Sequence, residues 1–388
     1  MNGVDPVSQR GFSSMEMTRA YRLILVLIAC ASCSSGGGGG GGAGDDEGAG
    51  GDTAGGEPDS GPAGDGDGSG PVDQTLPPDP LAAGHGIVGY WGQNGYGGAN
   101  PADMSRWEPS LGEICATPYY DIIVLAFMTS FVSDRNGGMP ETNFSFHCET
   151  PIDADHPFLL RCPEIEADIA TCHAAGKKVL ISLGGASGAY GFSDDVQAEQ
   201  FAHTVWDMFL GGSGTLRPFG ARSLDGVDLD IEGGGTNGYS AFVRRLRRLM
   251  DGAGDGWLIT AAPQCPYPDA YLGPAPGTAL RDAASAFDYL FVQFYNNFCN
   301  GASRAPFQDA FGRWSRLSTG SGPRIVVGLP AAPAAAPAGG YVEPDKLPSL
   351  INAVDGNASF AGVMLWDVSF DRQSGDPAYG AVAEQALR

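Results

Sequence analysis

The sequence predicts an α/β protein whose main domain, residues 84–388, is a (β/α)8 barrel. Eight short apolar runs recur from residue 86 onward, and longer stretches with helical periodicity separate them. Strands that alternate with helices require parallel pairing with right-handed crossovers, and eight such units match this barrel. Several runs also end in polar or aromatic residues, at the rim where barrel enzymes hold their chemistry.

The eight runs are the predicted strands, taken in chain order. Their boundaries are 86–91, 120–128, 178–184, 226–232, 257–263, 289–296, 324–330 and 361–367. Two intervening segments have apolar residues at helical spacing: Phe201, Val205, Met208 and Phe209 in one, and Phe242, Leu246, Leu249 and Met250 in the other. The connection between the last two runs is too short for an additional domain, so we expect an open, shallow cleft at the rim.

Residues 1–29 have the pattern of an export signal. Arg19 and Arg22 precede a short apolar core, 23–29, which is too short to span a bilayer as a helix. The tetrapeptide Leu-Ile-Ala-Cys ending at Cys30 resembles the lipobox of bacterial lipoproteins, which implies cleavage before Cys30 and acylation of its sulfur. We therefore expect a cell-envelope lipoprotein at the outer membrane or cell surface. An ordinary cleaved signal with free secretion is the alternative.

Residues 30–83 form the second predicted segment, a tether. From residue 34 to about residue 80 there are many glycines, almost no large apolar residues, and acidic residues without Lys or Arg. Such a composition cannot bury enough apolar surface to offset the entropy of ordering the chain. We predict that this segment is disordered.

The whole chain has a formal net charge of −23. A charge of this sign and size argues against binding to nucleic acid or to anionic membrane surfaces, because both are polyanions. Uncharged partners remain compatible with it.

Six of the eight cysteines lie in the barrel domain. They are Cys115, Cys148, Cys162, Cys172, Cys265 and Cys299. An even number of cysteines in an exported domain indicates disulfides, and six permit 15 pairings. Cys265 and Cys299 follow consecutive predicted strands, so a parallel barrel brings them to the same rim. No spacing among the six is typical of a zinc site.

The sequence D-G-V-D-L-D-I-E at 225–232 is the most informative stretch. Side chains of a strand alternate between its faces, so Asp228, Asp230 and Glu232 share one face, while the apolar residues between them face the core. At this spacing, ionising all three carboxyls is unfavourable and at least one should keep its proton near neutral pH. Two other interpretations are a solvated acidic run, which seldom alternates with apolar residues, and a Mg²⁺ or Ca²⁺ site.

This octapeptide resembles the D-G-x-D-x-D-x-E signature of family 18 glycoside hydrolases. The region from Gly86 onward is similar to the single-domain plant-type (class III, hevamine-like) chitinases. Six further blocks follow that family's order: G-Y-W-G-Q-N at 89–94, S-L-G-G at 182–185, A-A-P-Q-C-P at 261–266, V-Q-F-Y-N-N at 292–297, G-L-P-A-A-P at 328–333 and G-V-M-L-W at 362–366.

The resemblance implies a role for each polar residue at the rim. Glu232 would be the general acid and base, and the 2-acetamido oxygen of the sugar would be the nucleophile, since this family is substrate-assisted. Asp230 would accept a hydrogen bond from the acetamido N–H, and Asp228 would tune Asp230 by sharing a proton. Tyr295 would donate its hydroxyl to the acetamido oxygen. The implied mechanism needs no metal or cofactor.

Other residues have weaker assignments. Trp366 is expected to form the apolar floor under the sugar, with ordinary rim packing as the alternative. Gln293 and Asn296 are expected polar contacts to substrate, and Gly185, with Gly184, is expected to let the backbone approach the ligand closely. Tyr90 is a candidate for substrate contact or for core packing. The resemblance also suggests two disulfides, Cys115–Cys172 and Cys148–Cys162.

Asp225 and the histidines are expected to be structural. Asp225 has the opposite parity to the carboxylate row and is expected to help the start of its strand. The five histidines are His85, His147, His156, His173 and His203, and none is spaced like a metal pair.

Taken together, these features predict an exported, monomeric endo-chitinase that cleaves β-1,4-linked N-acetylglucosamine with retention. Its partners would be chitin or N-acetylglucosamine oligosaccharides, together with the membrane through its lipid anchor. One alternative is a sibling activity in the family, an endo-β-N-acetylglucosaminidase or a lysozyme-like enzyme. Others are a non-catalytic chitin-binding lectin and a metal-dependent barrel enzyme.

Overall fold

The computed structural model describes residues 72–388. The strands are β1 (Gly86–Trp91), β2 (Tyr120–Ser130), β3 (Glu141–Thr142), β4 (Lys178–Gly185), β5 (Gly226–Ile231), β6 (Leu258–Ala261), β7 (Tyr289–Gln293), β8 (Arg324–Pro330) and β9 (Phe360–Trp366). Eight of them are parallel and close into a barrel in the order β1-β2-β4-β5-β6-β7-β8-β9, with β9 pairing back to β1. The predicted (β/α)8 barrel is confirmed.

Helices cover the outside of the barrel. They are α1 (Gly95–Ala99), α2 (Leu111–Cys115), α3 (Pro163–Ala174), α4 (Asp195–Phe209), α5 (Tyr239–Ala253), α6 (Ala279–Asp282), α7 (Arg304–Trp314), α8 (Leu347–Asn352), α9 (Val368–Asp371) and α10 (Tyr379–Leu387). The apolar stripes predicted from spacing lie on α4 and α5, where only Leu249 is partly exposed. In the part of the chain that the structure describes, none of these helices combines bilayer-spanning length with an apolar sequence.

The apolar residues form two cores, one on each side of the sheet. Inside the barrel, Val88, Leu180 and Phe291 pack against one another. Between the sheet and the helices, the outward-facing Val227 and Leu229 of β5 are fully buried with the helical apolar residues. The predicted parity of β5 is therefore confirmed, because its apolar residues face the helices and its carboxylates face the barrel interior.

One short strand lies outside the prediction. Strand β3 pairs antiparallel with the end of β2, through Met128 with Thr142 and Ser130 with Glu141, and it lengthens β2 beyond its predicted end. A two-residue strand has too few positions for a period-2 pattern, so the sequence gives no signal for it.

The predicted boundary of the tether at residue 83 is wrong. Leu81 is fully buried in the barrel interior, and Asp73 forms an ion pair with Arg222 at 2.6 Å. The Tyr289 hydroxyl donates to Asp79 at 2.7 Å. Residues 72–83 therefore pack against the barrel, because their few apolar side chains have core partners that composition alone does not reveal. The rest of the tether, the predicted signal and Cys30 lie outside the described residues.

Three disulfides brace the domain, and all three predicted pairs are present. They are Cys115–Cys172, Cys148–Cys162 and Cys265–Cys299. The last pair joins the chain just after β6 to the chain just after β7, as expected for cysteines that follow neighbouring strands.

The connection from β8 to β9 is short. Residues 331–359 contain α8 and two 3-10 turns, and they add no separate domain above the rim. This agrees with the open cleft expected from the length of the connection.

Candidate active site

The three carboxylates of β5 follow a gradient of burial toward the C-terminal rim. Asp228 is fully buried, Asp230 is 5% exposed, and Glu232, just beyond the strand end, is partly exposed. Each residue therefore stands further out of the barrel than the last. Glu232 is the most exposed of the three to a ligand in the cleft.

Asp228 is surrounded by hydroxyl groups. The hydroxyls of Tyr90 and Ser182 both donate to its Oδ2 at 2.7 Å, and the Thr260 hydroxyl donates to its Oδ1 at 2.7 Å. Burial raises the pKa of Asp228, and these three hydrogen bonds oppose that rise. Neutral donors thus hold this carboxylate without a cation beside it.

Asp230 lies between two other acids. Burial raises its pKa well above the usual range, and the nearby charges of Glu232 and Asp228 raise it further. A hydrogen bond from Gln293 Nε2 to Asp230 Oδ1, at 2.8 Å, acts in the opposite direction. The two neighbouring carboxyls, Asp230 and Glu232, therefore influence each other's titration, and ionising both together is unfavourable.

Glu232 has neutral hydrogen-bond donors around it. Gln264 Nε2 donates to Glu232 Oε2 at 3.3 Å, and the Glu232 backbone N–H donates to the Tyr190 hydroxyl at 3.0 Å. That hydroxyl in turn donates to the Gly185 carbonyl at 2.7 Å. Burial is the main cause that raises the pKa of Glu232. The group is therefore suited to holding a proton at neutral pH and delivering it.

Aromatic rings line the opposite side of the rim. Trp366, at the end of β9, is partly exposed, and its ring centroid lies 5.9 Å from Phe127 and 5.7 Å from Tyr90. Tyr295 is 7% exposed; burial raises the pKa of its hydroxyl, and the nearby charges of Asp230 and Glu232 raise it further. Trp366 is linked to the carboxylate row through Tyr90, whose hydroxyl donates to Asp228. Tyr90, only 2% exposed, reaches the row from within the core.

Two predicted substrate contacts have structural partners. Asn296 is exposed with a φ of 55°, and its Oδ1 accepts from the Ala338 backbone N–H at 3.0 Å. Gly184 has a φ of 118°, and a Cβ there would lie 2.1 Å from the Asp230 carbonyl oxygen. These contacts explain both residues without a ligand. The predicted roles of Asn296 and Gly185 toward substrate stay predictions.

Sequence reasoning missed several residues that complete the site. Ser182 and Thr260 hold Asp228, Tyr190 and Gln264 hold Glu232, and Phe127 packs under Trp366. Ser182 and Gln264 lie within the matched blocks 182–185 and 261–266, so those blocks contained a signal. Tyr190 lies in a loop, where only the folded chain shows its contact.

Histidines and Asp225 lie away from the rim chemistry. His173 Nε2 lies 2.9 Å from Asp225 Oδ2, which also accepts from the Val179 N–H at 2.7 Å, at the start of β5. His147 lies 2.9 Å from the buried Glu108. Within residues 72–388, no group of three or more His, Cys, Asp or Glu side chains is placed to hold a metal ion.

The fold and the site together define a class of protein. A (β/α)8 barrel with a row of carboxyls at its C-terminal rim and aromatic rings at the same rim has the architecture of the barrel glycoside hydrolases. The chain belongs to the Glycosyl hydrolases family 18, whose sequence model matches residues 86–336.

Curated relatives of the chain include fungal and plant proteins. It is 41% identical over 288 residues to Chitinase 2 of Rhizopus oligosporus, a match that covers 74% of this chain and 49% of the relative. It is 37% identical over 291 residues to the Acidic endochitinase of Cicer arietinum, with 75% and 89% covered. The chain thus spans about half the length of the first Rhizopus relative and most of the plant one.

Solved structures with the same fold include an enzyme and an inhibitor. A chitinase from Ipomoea carnea aligns with a TM-score of 0.65 and 33% identity, covering 78% of this chain and all of that one. A xylanase and α-amylase inhibitor protein from Scadoxus multiflorus aligns with a TM-score of 0.63 and 31% identity, covering 77% and 97%. The fold alone therefore does not determine activity.

Proposed function

We propose that the chain is an endo-acting chitinase that hydrolyses β-1,4-linked N-acetylglucosamine with retention. The observation that carries this proposal is the carboxylate row on β5, in which the outermost acid is partly exposed and its pKa and that of its buried neighbour Asp230 are both raised. The chitinase names of the relatives in this family support the substrate class.

In the first step, Glu232 protonates the leaving glycosidic oxygen. The acetamido oxygen of the sugar bound over Trp366 attacks its own anomeric carbon, and an oxazolinium ion forms. Tyr295 donates to that oxygen and keeps it in line, while Asp230 accepts from the acetamido N–H and balances the positive charge. The retained stereochemistry follows because attack occurs twice at the same carbon.

In the second step, Glu232 acts as the base. It removes a proton from a water molecule that attacks the anomeric carbon, and the oxazolinium ring reopens. Asp228 and Glu232 both raise the pKa of Asp230 through their charges, and this supports the proposal that Asp228 tunes Asp230. Both oxygens of Asp228 already accept from hydroxyls, so Asp228 supports Asp230 through its charge and its fixed position.

An open rim suits cuts within a chain. Two edges of the site, Glu232 and Trp366, are partly exposed, and the short β8–β9 connection adds no domain above them. A long polysaccharide can therefore lie across the barrel without threading. The same features allow related N-acetylglucosamine-containing substrates, such as protein-linked glycans or peptidoglycan.

A sugar-binding protein without hydrolysis is the second candidate. The likeness to a solved tamarind chitinase-like lectin favours it, because that structure aligns with a TM-score of 0.58 at 27% identity. Against it, this chain retains the acid, both aspartates and the tyrosine at one rim. We therefore prefer the hydrolase.

Product analysis tests the proposal. The full chain is incubated with chitin hexamer, new reducing ends are followed by proton NMR, and one sample contains a chelator. We expect β-anomers first, products from internal cuts, and no effect of the chelator. First products with α-anomers would exclude retention, chelator sensitivity would favour the metal enzyme, and binding by folded protein without cleavage would favour the lectin. Parallel assays on glycoprotein glycans and peptidoglycan separate the sibling activities.

Export and lipid anchoring are a separate proposal, based only on the pattern of residues 1–30. Cells that express the chain should hold it in the membrane fraction, with an acylated N-terminal Cys30 detectable by mass spectrometry. Cys30→Ala should release or misprocess it. Membrane retention that survives this substitution would show that another feature attaches the protein.

A further inference from the structure

The side chain of Gln264 donates a hydrogen bond to one carboxyl oxygen of Glu232, the proposed acid. Gln264 extends β6 by one bridge to Gln293 on β7, and its Nε2 lies 3.3 Å from Glu232 Oε2. Its own backbone N–H donates to Asp269 at 3.1 Å. Two glutamines on neighbouring strands thus each donate to one carboxyl of the row, Gln293 to Asp230 and Gln264 to Glu232.

Asn297 fixes which end of the Gln264 amide faces Glu232. Asn297 Nδ2 donates to Gln264 Oε1 at 3.1 Å. An amide whose oxygen already accepts from Asn297 must present its NH₂ group to the carboxyl. The Asn297 backbone carbonyl is held in turn by the Asn300 side chain at 2.7 Å. Both members of the pair are therefore oriented before a substrate binds.

A covalent clamp keeps the two loops together. Cys265 follows Gln264 directly, Cys299 lies two residues after Asn297, and the two cysteines form a disulfide. The Cys265 carbonyl also accepts from Trp314 Nε1 at 3.0 Å. The disulfide thus limits how far the backbones at Gln264 and Asn297 can move apart. The orientation of their side-chain amides depends on hydrogen bonds alone.

Several ionisable groups face Glu232 from the elements packed around it. They are Asp228 and Asp230 on β5, Asp269 after β6, Tyr190 after β4 and Tyr295 after β7. All of these groups are neutral or negative. A neutral amide donor therefore stabilises the ionised form of Glu232 where no cation does so.

We propose that the Gln264–Asn297 pair positions the Glu232 carboxyl and directs the catalytic proton to its Oε1 atom. Oε2 accepts from Gln264, so a proton held on Oε1 faces the cleft and the leaving oxygen. This inference rests on the proposed hydrolase function. Gln264 and Asn297 act through Glu232 and are positioning residues.

Gln264→Met tests the donor, since methionine has a similar length and no N–H. We expect kcat on chitin hexamer to fall about 10- to 100-fold, because the acid loses its fixed direction, while KM changes little. The hydrogen bond from Gln264 lowers the pKa of Glu232, so its loss raises that pKa. The high-pH limb of kcat/KM, which reports a protonated acid, should move up by about one pH unit.

Asn297→Asp tests the orientation. A carboxylate at 297 can only accept, so the Gln264 amide must turn and present its oxygen to Glu232. That oxygen disfavours the ionised acid, and the high-pH limb should again move upward. The substitution Asn297→Asp also adds a negative charge near Glu232, so the double variant with Gln264→Met shows the effect of that charge, and the excess shift of the single variant reports the turned amide.

Phe298→Ala is the matched control for the loop. Phe298 is adjacent to Asn297, and its side chain is 72% exposed. The high-pH limb should not move in this variant, whatever happens to KM. Circular dichroism and calorimetric binding of a chitin oligomer confirm that each variant is folded. If Gln264→Met does not fold, Asn297→Asp alone carries the test.

The outcomes separate the two levels of inference. A folded wild-type chain without hydrolysis overturns the proposed function itself. An active wild type whose high-pH limb stays in place in both Gln264→Met and Asn297→Asp overturns the positioning role and leaves the hydrolase intact. A limb that moves in both single variants without additivity supports the pair.

Discussion

Strand β5 carries buried carboxylates at both of its ends, and the two ends balance them differently. At its start, Asp225 is fully buried, lies 2.9 Å from His173 and 3.7 Å from the buried Lys178, and accepts from the Val179 N–H. At its end, Asp228, Asp230 and Glu232 have only hydroxyl, amide and backbone groups as donors among the contacts described above. The start of β5 thus places a lysine ammonium beside its carboxylate, whereas the end of β5 surrounds its carboxyls with neutral hydrogen-bond donors.

This difference in surroundings distinguishes Asp225, whose role is structural, from Asp230 and Glu232, whose proposed role is chemical. Asp225 is committed to its contacts with Lys178, His173 and the Val179 N–H, which tie the start of the strand to its neighbours. Carboxyls that are buried together, with only neutral donors, have raised pKa values and keep a proton to deliver. The same residue types on one strand thus serve stability at one end and chemistry at the other.

The largest expected effect is at the rim. Glu232→Gln removes the transferable proton and keeps the shape of the side chain, so turnover of chitin hexamer should fall by about 10³-fold or more. Binding of the oligomer, measured by calorimetry, should persist. The melting temperature should not fall, because a buried acid has been removed from beside another acid. Full turnover in this variant would show that Glu232 is not the acid.

At the start of β5, substitution of Asp225 should change the stability of the protein and leave its activity unchanged. Asp225→Ala leaves the buried Lys178 without its ion-pair partner and removes the contact of the partly exposed His173, so the free energy of unfolding should fall by about 3–5 kcal/mol in denaturant titration. At a temperature where the variant is folded, kcat should be unchanged. Asp225→Asn is the milder control, because it retains an acceptor for the Val179 N–H. A loss of kcat with normal stability would contradict the structural assignment of this end.

A smaller effect should appear in the pH dependence of stability. The folded-state pKa of Asp230 is raised above its unfolded value, so wild-type stability falls as pH rises from about 4 through the folded pKa. Asparagine does not titrate. The melting temperature of Asp230→Asn relative to wild type should therefore increase from pH 4 to pH 8, even though the variant loses activity. A difference that is constant with pH would show that Asp230 is ionised at no cost in the native protein.

Most of the barrel could be predicted because its signals are local. Each strand is an apolar run of its own. Alternation within 226–231 assigns Val227 and Asp228 to opposite faces of the strand without knowledge of the fold. The packing of 72–83 was not predictable in this way. Leu81 is one of the few large apolar residues in a segment rich in proline and polar residues, and its burial depends on the barrel interior that eight strands create.

The site was predictable where the residues lie on strands and was not where they lie on loops. Asp228, Asp230 and Glu232 follow from alternation on one strand. Tyr190 and the orientation of Gln264 depend on loops that meet only in the folded barrel, 42 and 32 residues away from Glu232 in sequence. Long-range contacts of this kind leave no periodic pattern in the sequence.

The segment around Leu81 has a further consequence. The family match begins at residue 86, yet the side chain of Leu81, five positions earlier, packs in the barrel interior. The Arg324 guanidinium donates to the Leu81 backbone carbonyl at 2.6 Å. The segment matched by the family model thus begins after a residue that packs into the barrel interior. A fragment trimmed to the shared boundary would leave a hole in the floor of the barrel, at the end farthest from its chemistry.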